Sequence, residues 1–253
     1  MSAEIRQRTD MILLPGWAFP AQVWAGVMPR LAEFAVPQSL DMPGINTSAP
    51  DIDPMLEHMA RQLLTQAPVG AVWIGWSLGG LIAVQAALMA PERVTALVLV
   101  ACTPKFVRSP DWPCATAPDV LDGFQHSLDE DQSGTLHRFA ALCAHNGRRV
   151  ETRVVRALSQ AMEQSRKKNS ILLSSGLDIL KHADLRAGFR ALICPVSCVL
   201  GEHDSLVPAT VADALAALSP RVEITRIQGA GHAPFISHPA EFVGAVRKLC
   251  DRL

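Results

Sequence analysis

Short apolar runs alternate along this chain with longer stretches whose apolar residues recur at helical spacing. Residues 11–14 (Met-Ile-Leu-Leu), 34–40, 69–74, 94–101, 195–200 and 222–227 read as strands, short and bounded by turn formers. Between them, residues 21–32, 54–65 and 80–90 read as helices, the last long, apolar and rich in alanine. Such alternation predicts an α/β fold, a mostly parallel sheet with helices on both faces. The pattern breaks between about 103 and 188. No β-rich run occurs there, and 120–126, 134–144, 151–164 and 170–181 read as helices. The expected organisation is therefore a core of residues 1–102 and 188–253 with a helical lid at 103–187. Lying above the strand ends, such a lid would exclude water and shape a pocket.

One junction in this pattern carries chemistry. Gly75-Trp76-Ser77-Leu78-Gly79 stands between a predicted strand and a predicted helix. Strand, G-x-S-x-G, helix is the arrangement of a nucleophile elbow, in which small residues flanking the serine let strand and helix approach closely. The string alone is weak; the setting gives it meaning.

A serine hydroxyl needs a base to take its proton and a group to orient that base. Asp204 follows the strand at 195–200, and His232 follows the strand at 222–227 on a glycine-rich loop. Ser77, Asp204 and His232 therefore occur in the order that accompanies this elbow, each just past a strand end. Glu202 is the rival carboxylate. Among the eight histidines, His238 is the nearest rival base but precedes Pro239 at the start of a helix, and His203 comes before Asp204 in the chain.

Two backbone N–H groups must face the developing oxyanion. Leu78, directly after the serine, is one candidate, and Trp17, after the early strand and the Pro15-Gly16 turn, is the other. The Trp17 side chain would then wall an acyl pocket.

Composition narrows the class. The 253 residues are 49% hydrophobic and 19% charged, enough for a large core and unlike a disordered chain. With 23 basic and 24 acidic residues the net charge is −1, which argues against bulk nucleic-acid binding. The apolar runs are too short to cross a bilayer, the N-terminus lacks a signal-like apolar segment, and the six cysteines are scattered without a C-x-x-C pair. These features predict a cytoplasmic, monomeric protein with reduced thiols and with no metal site or cofactor. Charge is uneven locally. Arg138, Arg148, Arg149, Arg153, Arg156, Arg166, Lys167 and Lys168 face only Glu151 and Glu163 over that stretch, a local net of +6. Helical spacing of four and three lets Arg149, Arg153 and Arg156 share a face. Such a face is either a solvated helix surface or a docking patch for an acidic partner.

Several stretches together resemble the pimeloyl-acyl-carrier-protein methyl ester esterases of biotin synthesis, a lidded group of the α/β-hydrolase superfamily. They are Leu13-Leu14-Pro15-Gly16-Trp17, Gly75 to Gly80, Gly176-Leu177-Asp178-Ile179-Leu180-Lys181 with Asp184-Leu185-Arg186, and the run from His232 to Phe242. The resemblance implies an α/β-hydrolase fold and hydrolysis of a methyl ester whose acyl chain stays on its acyl-carrier protein. It implies substrate contacts from Trp17, Ser77, Leu78, His232 and the lid stretch Phe139-Ala140-Ala141-Leu142-Cys143. It also implies carrier contacts from Arg138 and Arg156, to which helical spacing adds Arg149 and Arg153. Where the family has His-Gly before the tryptophan, this chain has Pro15-Gly16. The same triad would serve a general carboxylesterase, a lactonase or an acyl-carrier thioesterase, and a ligand receptor on this fold could keep it. An epoxide hydrolase or dehalogenase would carry aspartate where Ser77 stands.

Overall fold

The computed structural model describes residues 8–44, 52–164 and 170–253, with backbone alone at 52–54 and 164. Arg166, Lys167 and Lys168 lie outside the described residues. Six strands form one parallel sheet: β1 (Thr9–Leu14), β2 (Ala35–Ser39), β3 (Ala71–Trp76), β4 (Val94–Val100), β5 (Val196–Gly201) and β6 (Glu223–Ile227). Their order is β2-β1-β3-β4-β5-β6, with every neighbouring pair parallel. β3 and β5 are buried along their whole length, as strands covered on both faces must be.

The core helices are α1 (Met28–Leu31), α2 (Ile52–Gln66) and α3 (Leu78–Met89). Between β4 and β5 the chain makes α4 (Pro118–Glu130), α5 (Gln132–Cys143), α6 (Thr152–Gln164), α7 (Ser170–His182) and α8 (Arg186–Ala191). After β5 come α9 (Val211–Leu218), α10 (Pro234–Ser237) and α11 (Pro239–Cys250). α7 packs against α2, α3 and α4, so the inserted helices rest on the core.

Three expectations need correction. The single helix expected at 21–32 is a 3₁₀ turn, Ala21–Trp24, followed by the one-turn α1. Pro29 has no N–H to continue an α-helical ladder, and Ala25 and Val27 instead bond three residues back, to Gln22 and Trp24. The elbow strand starts at Ala71 and not at Val69, which is 69% exposed. It runs on through Gly75 and Trp76, and the next helix starts at Leu78, so Ser77 alone makes the turn. The short helices α8 and α10 have no separate signal in the apolar pattern.

Every element that carries a candidate residue meets the same edge. Trp17 follows β1, Ser77 follows β3, Asp204 follows β5 and His232 follows β6. Because the strands are parallel, all four stand at their carboxyl ends, where sites collect in open α/β sheets.

Candidate active site

Ser77 has φ 53° and ψ −117°, a conformation costly for any residue with a side chain. The packing around it leaves the backbone no alternative. A Cβ on Gly75 would overlap the carbonyl of Gly79, and one on Gly79 would stand 2.5 Å from the carbonyl oxygen of Pro15. β3, α3 and the loop after β1 are thus in backbone contact on both sides of the serine. Ser77 N–H donates to the Val100 carbonyl at 2.9 Å, which anchors the turn to β4.

The acid and the imidazole are brought together. His232 Nδ1 lies 2.7 Å from Asp204 Oδ2, with both side chains buried. The other carboxylate oxygen, Oδ1, accepts from the N–H groups of Leu206 at 2.8 Å and Val207 at 2.9 Å. A carboxylate held this way accepts on both oxygens, so Nδ1 of the histidine is the donor, and in the neutral imidazole Nε2 is then the acceptor. Nε2 is buried and has no hydrogen-bond partner among the described residues, Ser77 included. The residue before the serine is tied to the histidine loop: Trp76 Nε1 donates to the His232 carbonyl at 2.7 Å, and the two rings are 5.7 Å apart. Catalytic hydrogen bonds of this kind often form only when substrate arrives.

The rivals are occupied elsewhere. Glu202 accepts from the Gly229 N–H at 2.9 Å and lies 3.5 Å from His203, on the surface. His238 Nδ1 pairs with Ser237 Oγ at 2.8 Å. His203 lies against Gly147, where an added Cβ would stand 2.8 Å from its ring. Cys143 is no competing nucleophile, because burial and then the nearby Asp204 carboxylate push its thiol well above its ordinary range.

Leu78 opens α3, so its N–H has no acceptor within the helix. Trp17 follows buried Pro15 and Gly16. The Trp17 indole is 2% exposed, donates to the Leu173 carbonyl of α7 at 2.7 Å and meets Phe139 edge-on at 4.7 Å.

A narrow, mostly apolar cavity opens beside Ser77, with free room of only about 20 Å³ in this closed state. Trp17, Ser77 and Phe139 line it. Leu78, Ala140, Ala141, Leu142, Cys143 and His232 are not in its lining. Ala140 and Cys143 are buried on the same helix as Phe139, so one side chain of that stretch reaches the cavity. The remaining wall was not foreseen from the sequence: Phe106 and Thr116 from the loop after β4, Leu121 and Phe124 from α4, Leu177 and Leu180 from α7, and Leu206 beside Asp204. Periodicity marks the helical members as buried but not the surface they share. No charged side chain lines this cavity. Among the described residues, no group of three or more His, Cys, Asp or Glu is placed to hold a metal ion. None of the helices there is long and apolar enough to cross a membrane.

The basic stretch divides. α6 starts at Thr152, so Arg149 precedes it, in the turn closed by the His145–Val150 bridge, with its N–H on Asn146 Oδ1 at 3.0 Å. The shared-face reading therefore holds for Arg153 and Arg156 alone, on the helix side opposite buried Val154 and Leu158. Arg138 bonds Thr135 Oγ1 at 2.8 Å and lies 3.9 Å from Asp131. Arg153 donates to the Ser237 carbonyl of α10 at 2.8 Å, and is thus committed to the segment that follows His232.

A family model described as "Alpha/beta hydrolase family" matches residues 11–245, and the chain belongs to that family. It is 42% identical to "Pimeloyl-[acyl-carrier protein] methyl ester esterase" of Klebsiella pneumoniae subsp. pneumoniae, over 96% of this chain and 94% of that protein. It is 41% identical to the protein of the same name from Photobacterium profundum, over 95% and 94% of the two chains. The esterase names of these relatives, with the hydrolase fold, are consistent with a carboxylic ester hydrolase. Among solved structures, a bromoperoxidase from Bacillus anthracis matches with a TM-score of 0.86 at 17% identity, over 97% of this chain and 92% of that one. An esterase from Exiguobacterium antarcticum matches at 0.80 and 20%, over 95% and 91%. At such identities these two speak to the fold alone.

Proposed function

We propose that this chain is a serine carboxylesterase that removes the methyl group from pimeloyl-acyl-carrier-protein methyl ester, releasing methanol and leaving the acyl chain on its carrier. Ser77 is the nucleophile, His232 the general base and acid, and Asp204 the group that orients the imidazole. The observation that supports the chemistry is the buried Nε2 of His232, without a partner among the described residues and with its other nitrogen on Asp204, in a chain whose Ser77 stands at an elbow past the same sheet edge. The relatives over 40% identical carry the substrate.

Nε2 takes the Ser77 proton as Oγ attacks the ester carbonyl. The tetrahedral oxyanion is held by the N–H groups of Leu78 and Trp17. The imidazolium then protonates the departing methoxide, which leaves as methanol. Water, deprotonated by the same nitrogen, opens the acyl-enzyme and releases the carboxylate, and the proton returns to Ser77. Residues 1–102 and 188–253 act as the core, and 103–187 as a lid that keeps water from the apolar cavity. The acyl carrier, an acidic partner, is met by the basic side chains Arg138, Arg149, Arg153 and Arg156 of the inserted helical region.

Mass spectrometry of pimeloyl-carrier methyl ester after incubation with the enzyme tests this reading. Loss of the methyl group with the acyl chain retained on the carrier is the expected product. Release of the whole acyl chain marks a thioesterase, and an unchanged carrier species rejects the substrate.

A further inference from the structure

We propose that Gly176 is a positioning residue for the oxyanion site, its missing side chain letting α7 seat directly on Trp17 and Leu78. The inference rests on the reading of those two residues as the oxyanion donors. A Cβ built on Gly176 would stand 2.6 Å from Trp17 Cδ1 and 3.2 Å from Leu78 Cδ2. Position 176 is therefore where one helix touches the side chains of both proposed donor residues at once. One turn earlier on α7, the Leu173 carbonyl accepts the Trp17 indole N–H at 2.7 Å. The helix thus holds the indole by a hydrogen bond at one point and by contact at another.

The backbone carrying the Trp17 N–H needs such a hold. Ala18, the next residue, has φ 65°, a left-handed conformation that alanine does not favour by itself. One local bond closes this turn, from Phe19 N–H to the Gly16 carbonyl at 3.2 Å. The indole, fixed to α7 and packed edge-on against Phe139, supplies the tertiary restraint. With no room at position 176 for a methyl group, an alanine there forces either the indole or α7 to move. Either shift turns the Trp17 N–H away from the oxyanion while leaving Ser77, His232 and Asp204 untouched. Oxyanion donors act through their aim, so a small displacement costs rate more than binding.

Alanine is a better helix former than glycine but overlaps Trp17 here, so a purely structural role at position 176 predicts Gly176→Ala to be less stable than the parent, with kcat and boronate affinity of the folded protein unchanged. The positioning role predicts that kcat on a short p-nitrophenyl ester falls about 10-fold while KM stays within about 2-fold. The affinity for an alkylboronate, which forms a tetrahedral anion on the serine, should fall in the same proportion as kcat. Trp17→Phe, which loses the bond to Leu173 but keeps a ring, should show the same pattern. Because both act through one contact, the double variant should lose little more than the worse single one.

Gly176→Ala enzyme with parental kcat and boronate affinity overturns the proposal, as does an effect confined to KM or a fully additive double variant. If Gly176→Ala does not fold, Trp17→Phe decides: kcat and boronate affinity falling together supports the positioning role, and parental values overturn it. The underlying site reading fails separately, if Ser77→Ala keeps its activity.

Discussion

The indole N–H of Trp76 donates to the backbone carbonyl of His232 at 2.7 Å, joining the residue before the elbow serine to the loop that carries the imidazole. The second position of G-x-S-x-G is therefore more than a spacer here. Its ring also packs on Phe19 at 4.9 Å and Phe235 at 5.0 Å, so it is held on several sides before it makes the bond.

Trp76→Phe should keep most of that packing and lose the bond. Leaving the buried carbonyl without its donor should cost about 1–3 kcal/mol of stability. A loosened imidazole should lower kcat on a short ester by about 10-fold, with KM little changed. Urea unfolding and steady-state kinetics on the same preparation check both numbers.

Asp204→Asn should be far more damaging to rate. An amide at that place can present its NH₂ group to Nδ1, which favours the tautomer with the proton on Nε2 and removes the base. A loss in kcat on the order of 10⁴ is expected, as for the equivalent change in other triads. Circular dichroism should show the fold intact. A loss below about 10-fold would mean that the carboxylate does not set the tautomer.

The arginines of the inserted region separate docking from chemistry. Arg149→Glu with Arg156→Glu should raise KM for the carrier-bound ester by about 10-fold or more at low salt and leave a short free ester unaffected. Arg153 is left out of this pair, because its bond to Ser237 ties it to the histidine segment. Equal effects on the two substrates would remove the docking role from these arginines.

Asp184 gives an acid-stability prediction. Hydrogen bonds from Arg186, joined by one from Lys105, hold its carboxyl down at about 2 from an ordinary 3.8, against the opposing effect of burial. A lowered folded-state value stabilises the fold at pH above about 3.8, and this contribution is lost as pH falls toward 2. The carboxylate is partly exposed, so after solvent screening the contribution is no more than about 1 kcal/mol. Asp184→Asn should thus be the less stable protein at pH 6, with the gap to the parent closing as pH falls through 3. Urea midpoints across that range read it directly.

Strand order along the chain, the elbow and the placing of Asp204 and His232 past strand ends were legible in the sequence because each rests on local pattern. A buried parallel strand is a continuous apolar run, and Gly75 and Gly79 announce close backbone approach. The basic residues were legible as composition but not as a surface. Arg149 sits in a turn and Arg153 is spent on Ser237, facts that depend on how α6 meets α10. The cavity wall was hidden for the same reason. Phe106, Thr116 and Leu206 come from loops, and their convergence with Leu121, Phe124 and Leu177 is a product of tertiary packing.

The most direct measurement on the central claim is intact-mass spectrometry after treatment with a fluorophosphonate, done in parallel with turnover of a short methyl ester. The parent should gain one phosphonyl group at Ser77 and lose its activity in step. Ser77→Ala should gain none and turn over less than about 0.1% as fast. Stoichiometric labelling of Ser77→Ala at another residue, or turnover by it above about 1% of the parent rate, contradicts the assignment of Ser77 as the nucleophile.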